Sequence, residues 1–150
     1  WAWVVHKLEG LGVTLTCDRF ASRANARLKR FCSLREEPGA LAPPNAFAHD
    51  WAAESGWNWA FPPMRAIPRV IALLREQRAR AVVLIPDWKM YWFAAAVSAA
   101  HTTIAFEGDG PFFQRRRDQE WQSVDRFLFR PLLLVIDGSR LSAHAHGETA

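Results

Sequence analysis

Residues 57–88, WNWAFPPMRAIPRVIALLREQRARAVVLIPDW, constrain the fold more than any other stretch of the chain. Trp57, Trp59 and Phe61 alternate with Asn58 and Ala60, the period of a half-buried strand. Pro62 and Pro63 end it, because neither offers an N–H to a ladder and each restrains the residue before it. Ile67, Val70, Ile71 and Leu74 then follow helical spacing, while Arg69, Arg75, Glu76 and Arg78 fall off that stripe. Pro68 fits only a first turn, so the helix is predicted to begin close to Ala66. Val82, Val83, Leu84 and Ile85 form an unbroken apolar run closed by Pro86, the pattern of a parallel strand buried on both faces. Strand, crossover helix and strand make a βαβ unit. Ligands of such sheets lie beyond the carboxyl ends of the strands. The turns Phe61-Pro62-Pro63-Met64 and Pro86-Asp87-Trp88 are therefore predicted to border one cleft.

The remaining segments extend this unit. Trp1, Val4, Val5 and Leu8 form a helical stripe that Gly10 and Gly12 bring to an end. Residues 13–17 read as a β-branched strand leading into Asp18, and the basic residues 22–31 as a short helix or an ordered loop. Residues 36–44 hold three prolines and a glycine and are expected to be loop; residues 45–51 read as a short strand and turn. Residues 88–100 read as a helix that packs Trp92, Ala96 and Ala99 on the sheet. Two more strands are expected at residues 102–106 and 132–136, with a turn at 108–110 and a frayed tail over 139–150. Alternating strands and helices imply an α/β, Rossmann-like fold, a mainly parallel sheet flanked by helices, over residues 1–138.

Four constellations could carry chemistry. Asp18 with Phe20 stands at the end of the first strand, where a nucleoside-containing cofactor is usually held; a plain structural strand-end Asp is the competing reading. The Phe61-Pro62-Pro63-Met64 turn is rigid and could hold a flipped base, or could be a simple chain break. Arg19, Arg23, Arg27, Lys29 and Arg30, then Phe112, Phe113, Arg115, Arg116 and Arg117, interleave cations with aromatics, as phosphate and base contacts require, although a charge run is also how a solvated face looks. His144 and His146 lack further ligands, so no metal site is expected. No nucleophile triad or phosphate-binding glycine loop is present.

The chain has 150 residues, 8 of them Trp, and a net charge of +4. That is enough for one domain with a sizeable core, and its basic balance is compatible with nucleic acid without demonstrating it. Cys17 and Cys32 have no metal-ligand spacing and read as reduced thiols. No apolar run nears the ~20 residues of a membrane span, so no membrane partner is expected. A first residue that is Trp rather than Met points to a domain cut from a longer polypeptide.

Taken in order, VTLTCDRFAS, DRFASRANARLKRF, NAFAHDW, WAFPPM, IPRV and VLIPDW resemble the phage-type DNA N-6-adenine methyltransferases. They are more closely similar to the methyltransferase-like segment of DIRS-type, tyrosine-recombinase retrotransposon polyproteins. The resemblance implies S-adenosylmethionine as methyl donor, adenine in DNA as acceptor, and an intracellular setting in cytoplasm or nucleus. It implies as partners DNA or RNA and the reverse transcriptase and ribonuclease H domains of the same polyprotein. Asp18, Phe20, Ala21 and Ser22 fall on the cofactor motif, Asp50 near the cofactor's nucleoside end, and Phe61, Pro62, Pro63 and Met64 on the catalytic turn. Arg115, Arg116 and Arg117 are the candidate nucleic-acid contacts.

The sequence departs from that family where the chemistry is done. The family turn opens on Asn or Asp, which accepts a hydrogen bond from the adenine amino group; Phe61 cannot. Losing such a partner typically lowers the rate by about 100- to 1000-fold. Met64 replaces a stacking aromatic, Ser22 and Ala24 replace glycines, and Asn58 is expected to face away from Phe61. The expected function is a methyltransferase-like domain impaired in catalysis and retained for nucleic-acid binding or structure. The alternatives are an active S-adenosylmethionine-dependent adenine methyltransferase and a ligand-free spacer.

Overall fold

The computed structural model describes residues 1–106, 113–117, 120–124 and 130–142. Its elements are α1 (Ala2–Glu9), β1 (Leu15–Asp18), β2 (Arg30–Phe31), β3 (Trp57–Ala60), α2 (Ile67–Gln77), β4 (Arg80–Pro86), α3 (Phe93–Ala99), β5 (Thr102–Ala105), β6 (Phe113–Arg117), β7 (Glu120–Val124) and β8 (Pro131–Asp137). Six strands form one sheet in the order β2-β1-β3-β4-β8-β5, and β6 pairs with β7 in a separate antiparallel hairpin. The pairings of β1 with β2, β1 with β3 and β3 with β4 are parallel. β8 runs antiparallel to both β4 and β5, so it is the one reversed strand of the six. The architecture is α/β with a mixed, mostly parallel sheet.

Two apolar layers cover the sheet, and strand alternation deals residues to each. Ala81, Val83 and Ile85 of β4 and Leu134 and Ile136 of β8 face α2 and α3. Val82 and Leu84 of β4 and Leu133 and Val135 of β8 face Val4 and Leu8 of α1. Both faces being buried explains why these strands are unbroken apolar runs. Ile67, Val70 and Leu74 of α2 are 0 % exposed, as the stripe requires, and Pro68 sits in the first turn, where its missing N–H leaves no ladder bond unmade. α1 ends where Gly12 takes φ +75° and lets the Val13 amide donate to the Leu8 carbonyl at 2.9 Å. After β8 the chain passes so close to α2 that a Cβ on Gly138 would collide with the Leu74 carbonyl, which leaves glycine as the residue that fits.

Several expectations need correcting. β3 is not half-buried: Asn58, on the side expected to be polar, is 0 % exposed, because the segment around Trp51 and the start of β4 close over it. Phe61 lies beyond the strand's end at Ala60. Residues 45–51 hold no strand; two single 3₁₀ turns, Ala46–Ala48 and Trp51–Ala53, are capped by the side chains of Asn45 and Asp50. For the basic stretch 22–31 the loop alternative holds, with the short β2 at its end. The helix expected over 88–100 is confined to Phe93–Ala99. Residues 139–142 are not frayed: a 3₁₀ turn, Gly138–Arg140, follows Asp137, whose side chain accepts from the Ser139 amide at 3.0 Å. The expected turn at 108–110, Phe112, His144, His146 and the rest of the tail lie outside the described residues.

Candidate functional site

The first four strands follow the order 2-1-3-4, so β1 and β3 are neighbours whose following connections leave toward opposite sides. A crevice opens at that switch point, beyond the carboxyl ends. Asp18 aligns with Trp59, and the Arg19 amide donates to the Trp59 carbonyl at 2.9 Å, locking the two turns to one rim. The resulting pocket has a volume of about 520 Å³, within the range that holds small-molecule ligands. It is open, with Ser22 and Phe61 along its lining rather than filling it.

Its walls are aromatic. Phe20 follows β1, Phe61 follows β3, and Phe47 comes from the first 3₁₀ turn; the Phe20 and Phe47 rings meet edge-on at 5.7 Å. Cations line it at two depths. Arg65, in the 3₁₀ turn Met64–Ala66 just before α2, and Arg69, in the first turn of α2, are exposed, and the Arg69 guanidinium lies 3.9 Å from the centroid of the Phe47 ring. Such stacking leaves the guanidinium edge free to meet an anion. Arg19 is only 2 % exposed. Its Nε donates to Asn58 Oδ1 at 2.7 Å, one terminal nitrogen donates to Cys32 Sγ at 3.3 Å, and another approaches Glu54 at 3.7 Å. Its guanidinium also stacks over Trp51 at 5.4 Å. Among the described residues, no Asp or Glu lines the pocket.

Of the residues singled out from sequence, Arg19, Phe20, Ala21, Ser22, Phe61 and Pro63 line this pocket together. Asp18, Asp50, Pro62 and Met64 do not. Asp18 is buried and turned into its own loop, where Oδ2 accepts from the Arg27 amide at 3.0 Å. Burial pushes its carboxyl above the usual carboxylate range, against the pull of the Arg27 and Phe20 amides and the Arg27 charge. Asp50 caps the Trp51–Ala53 turn through the Ala52 amide at 3.0 Å. The turn after β4 does not share the cleft, since the Asp87 amide is held by the Arg130 carbonyl at 2.6 Å, alongside β8. The Asn58 amide donates to the Trp51 and Arg80 carbonyls at 2.9 and 2.8 Å.

Arg115, Arg116 and Arg117 lie on β6, whose partner is β7 and not the main sheet. Of the other basic residues, Arg30 is bound twice to Glu54, at 3.0 and 3.1 Å. Burial alone would push the Glu54 carboxyl up; the two bonds from Arg30 and the nearby Arg19 charge outweigh it and hold it low. No metal-holding group of three His, Cys, Asp or Glu exists among the described residues. None of the described helices is long and apolar enough to cross a membrane.

Sequence reasoning missed Cys32, Ser33, Asn45, Phe47, Arg65 and Arg69 as lining residues. The two arginines left a signal, since they open a helix that follows a strand end. Cys32 and Ser33 left none, because they follow a strand of only two residues. Set against family models, curated proteins and solved structures, the chain matches none of them.

Proposed function

We propose that residues 1–138 form a methyltransferase-like module, of the kind found in DIRS-type retrotransposon polyproteins, that grips a nucleotide of DNA or RNA and is impaired in methyl transfer. The observation that carries this reading is the make-up of the switch-point pocket: three aromatic rings and exposed Arg65 and Arg69, with no lining carboxylate among the described residues. Rings stack on bases, and cations at the mouth pair with phosphates. The Rossmann-like reading is supported by the 2-1-3-4 strand order and by a pocket at the β1/β3 switch point.

S-adenosylmethionine fits this lining poorly. Its sulfonium and ammonium groups are cationic, and its ribose diol is commonly met by an acid in such folds. The described lining offers arginines instead, Asp18 is spent on its own loop, and Phe61 supplies no acceptor for an adenine amino group. An anionic nucleotide suits it better.

Fluorescence anisotropy with single-stranded oligonucleotides tests this. Binding is expected to weaken with salt. Phe61→Ala, by removing one stacking ring, is expected to weaken it roughly 5- to 150-fold, the equivalent of about 1–3 kcal/mol. Arg65→Ala with Arg69→Ala is expected to reduce the salt slope by about 0.7 for each phosphate no longer neutralised. Salt-insensitive or undetectable binding would leave the spacer reading. Robust transfer of labelled methyl from S-adenosylmethionine to adenine would instead establish an active adenine methyltransferase, the reading favoured by the meeting of Phe20 and Phe61 in one pocket.

A further inference from the structure

The floor of the pocket holds a group that nucleotide binding does not use. Cys17 of β1 and Cys32, just after β2, lie on adjacent parallel strands and are 0 % and 1 % exposed. Both are free thiols, and they are near enough for each to shift the other's titration. Cys32 lines the pocket and Cys17 does not. On its other side, Cys32 Sγ accepts from the buried Arg19 guanidinium at 3.3 Å.

Charge balance singles out Cys32. A guanidinium that is 2 % exposed requires a close anion, because an uncompensated charge removed from water is strongly unfavourable. Its remaining partners are the neutral Asn58 amide at 2.7 Å and Glu54 at 3.7 Å. Glu54 is already shared with Arg30 through two shorter bonds. A thiolate at Cys32 completes the neutralisation. The charged and titratable groups around it are Cys17, Arg19, His49, Glu54 and Arg30. The neighbouring Cys17 thiol and the Arg19 guanidinium hold the Cys32 thiol below the ordinary thiol range, against the effect of burial, while Cys17 is pushed up.

We propose that Cys32 is a nucleophilic thiolate at the base of the pocket that is oxidised by small peroxides entering it, with Cys17 as the resolving thiol. The Cys32 sulfur attacks one peroxide oxygen. An S–O bond forms, the O–O bond breaks, and the departing oxygen takes a proton and leaves as water or an alcohol. Cys32 is then a sulfenic acid. Cys17 gives up its proton and attacks that sulfur; an S–S bond forms, the S–O bond breaks, and the hydroxyl leaves with the proton as water. Two thiols and one peroxide become one disulfide and the reduced peroxide. The register pairs Cys17 with Arg30, two residues before Cys32, so closing the disulfide draws the chain just after β2 toward β1.

The test uses the whole chain and hydrogen peroxide. Intact mass is expected to fall by two hydrogens, with a Cys17–Cys32 crosslink in the peptide map and recovery on adding dithiothreitol. In Cys17→Ser, a dimedone adduct is expected to accumulate on Cys32. In the untreated wild type, alkylation of Cys32 by iodoacetamide is expected to have a midpoint at least one unit below the ~8.5 of a free thiol, with Cys17 alkylated at least tenfold more slowly. A wild-type chain that stays folded and keeps both thiols at peroxide levels oxidising a free cysteine overturns the proposal. So does alkylation of both cysteines along the profile of a free thiol. Neither readout depends on nucleotide binding.

Discussion

Asn58 ties together three parts of the fold that share no secondary structure, and it does so without exposure to water. It accepts from Arg19 and donates to the carbonyls of Trp51 and Arg80. Asn58→Leu keeps the branching of the side chain but leaves a buried cation and two carbonyls short of partners. A loss of about 3 kcal/mol or more is expected, read as a lowered urea midpoint with an unchanged slope. Asp18 gives a pH signature of opposite character to most carboxylates. Its carboxyl is raised in the folded chain, chiefly by burial, so the native state keeps the proton to higher pH than the unfolded state. Its contribution is therefore present below the unfolded value of 3.8 and is lost as pH rises through the folded value. The stability of wild type minus that of Asp18→Asn is expected to fall with rising pH across that window in urea titrations; a flat or rising difference contradicts the assignment.

Elements whose periodicity is long enough to count are legible in the sequence. In α2, Ile67, Val70, Ile71 and Leu74 mark the buried face and Pro68 marks the start, and both are found in place. Leu74→Ala, at a position that is 0 % exposed, is expected to lower stability by about 2–5 kcal/mol, measurable by urea or thermal unfolding. Two-residue β2 carries no pattern at all, yet it determines which residues flank the pocket through Cys32 and Ser33. The 3₁₀ turns around Phe47 and Trp51 escape a sequence reading because Asn45 and Asp50 act as caps there, and capping is read from geometry more easily than from residue type. Asp18 shows the limit most plainly: its place at a strand end is legible, but the direction of its carboxylate depends on the backbone of residues 20–27, which sequence spacing does not specify.

βαβ logic anticipates the parallel pairing of β3 with β4, but not that the cleft lies between the ends of β1 and β3. Nor could the reversal of β8 be anticipated, since a continuous apolar run looks the same in either direction. That strand is wedged between β4 and β5, pairs with both, and carries Leu133, Leu134 and Ile136, each 0 % exposed. A chain ending before Pro131 is thus expected to lose its cooperative urea transition altogether, whereas one ending after Ser142 is expected to retain it; circular dichroism distinguishes the two. The same placement bears on biosynthesis. A ribosome emits β4 and β5 well before the strand that separates them, so each nascent molecule carries two bare apolar edges until β8 emerges, an interval in which chaperone protection decides between productive folding and intermolecular pairing.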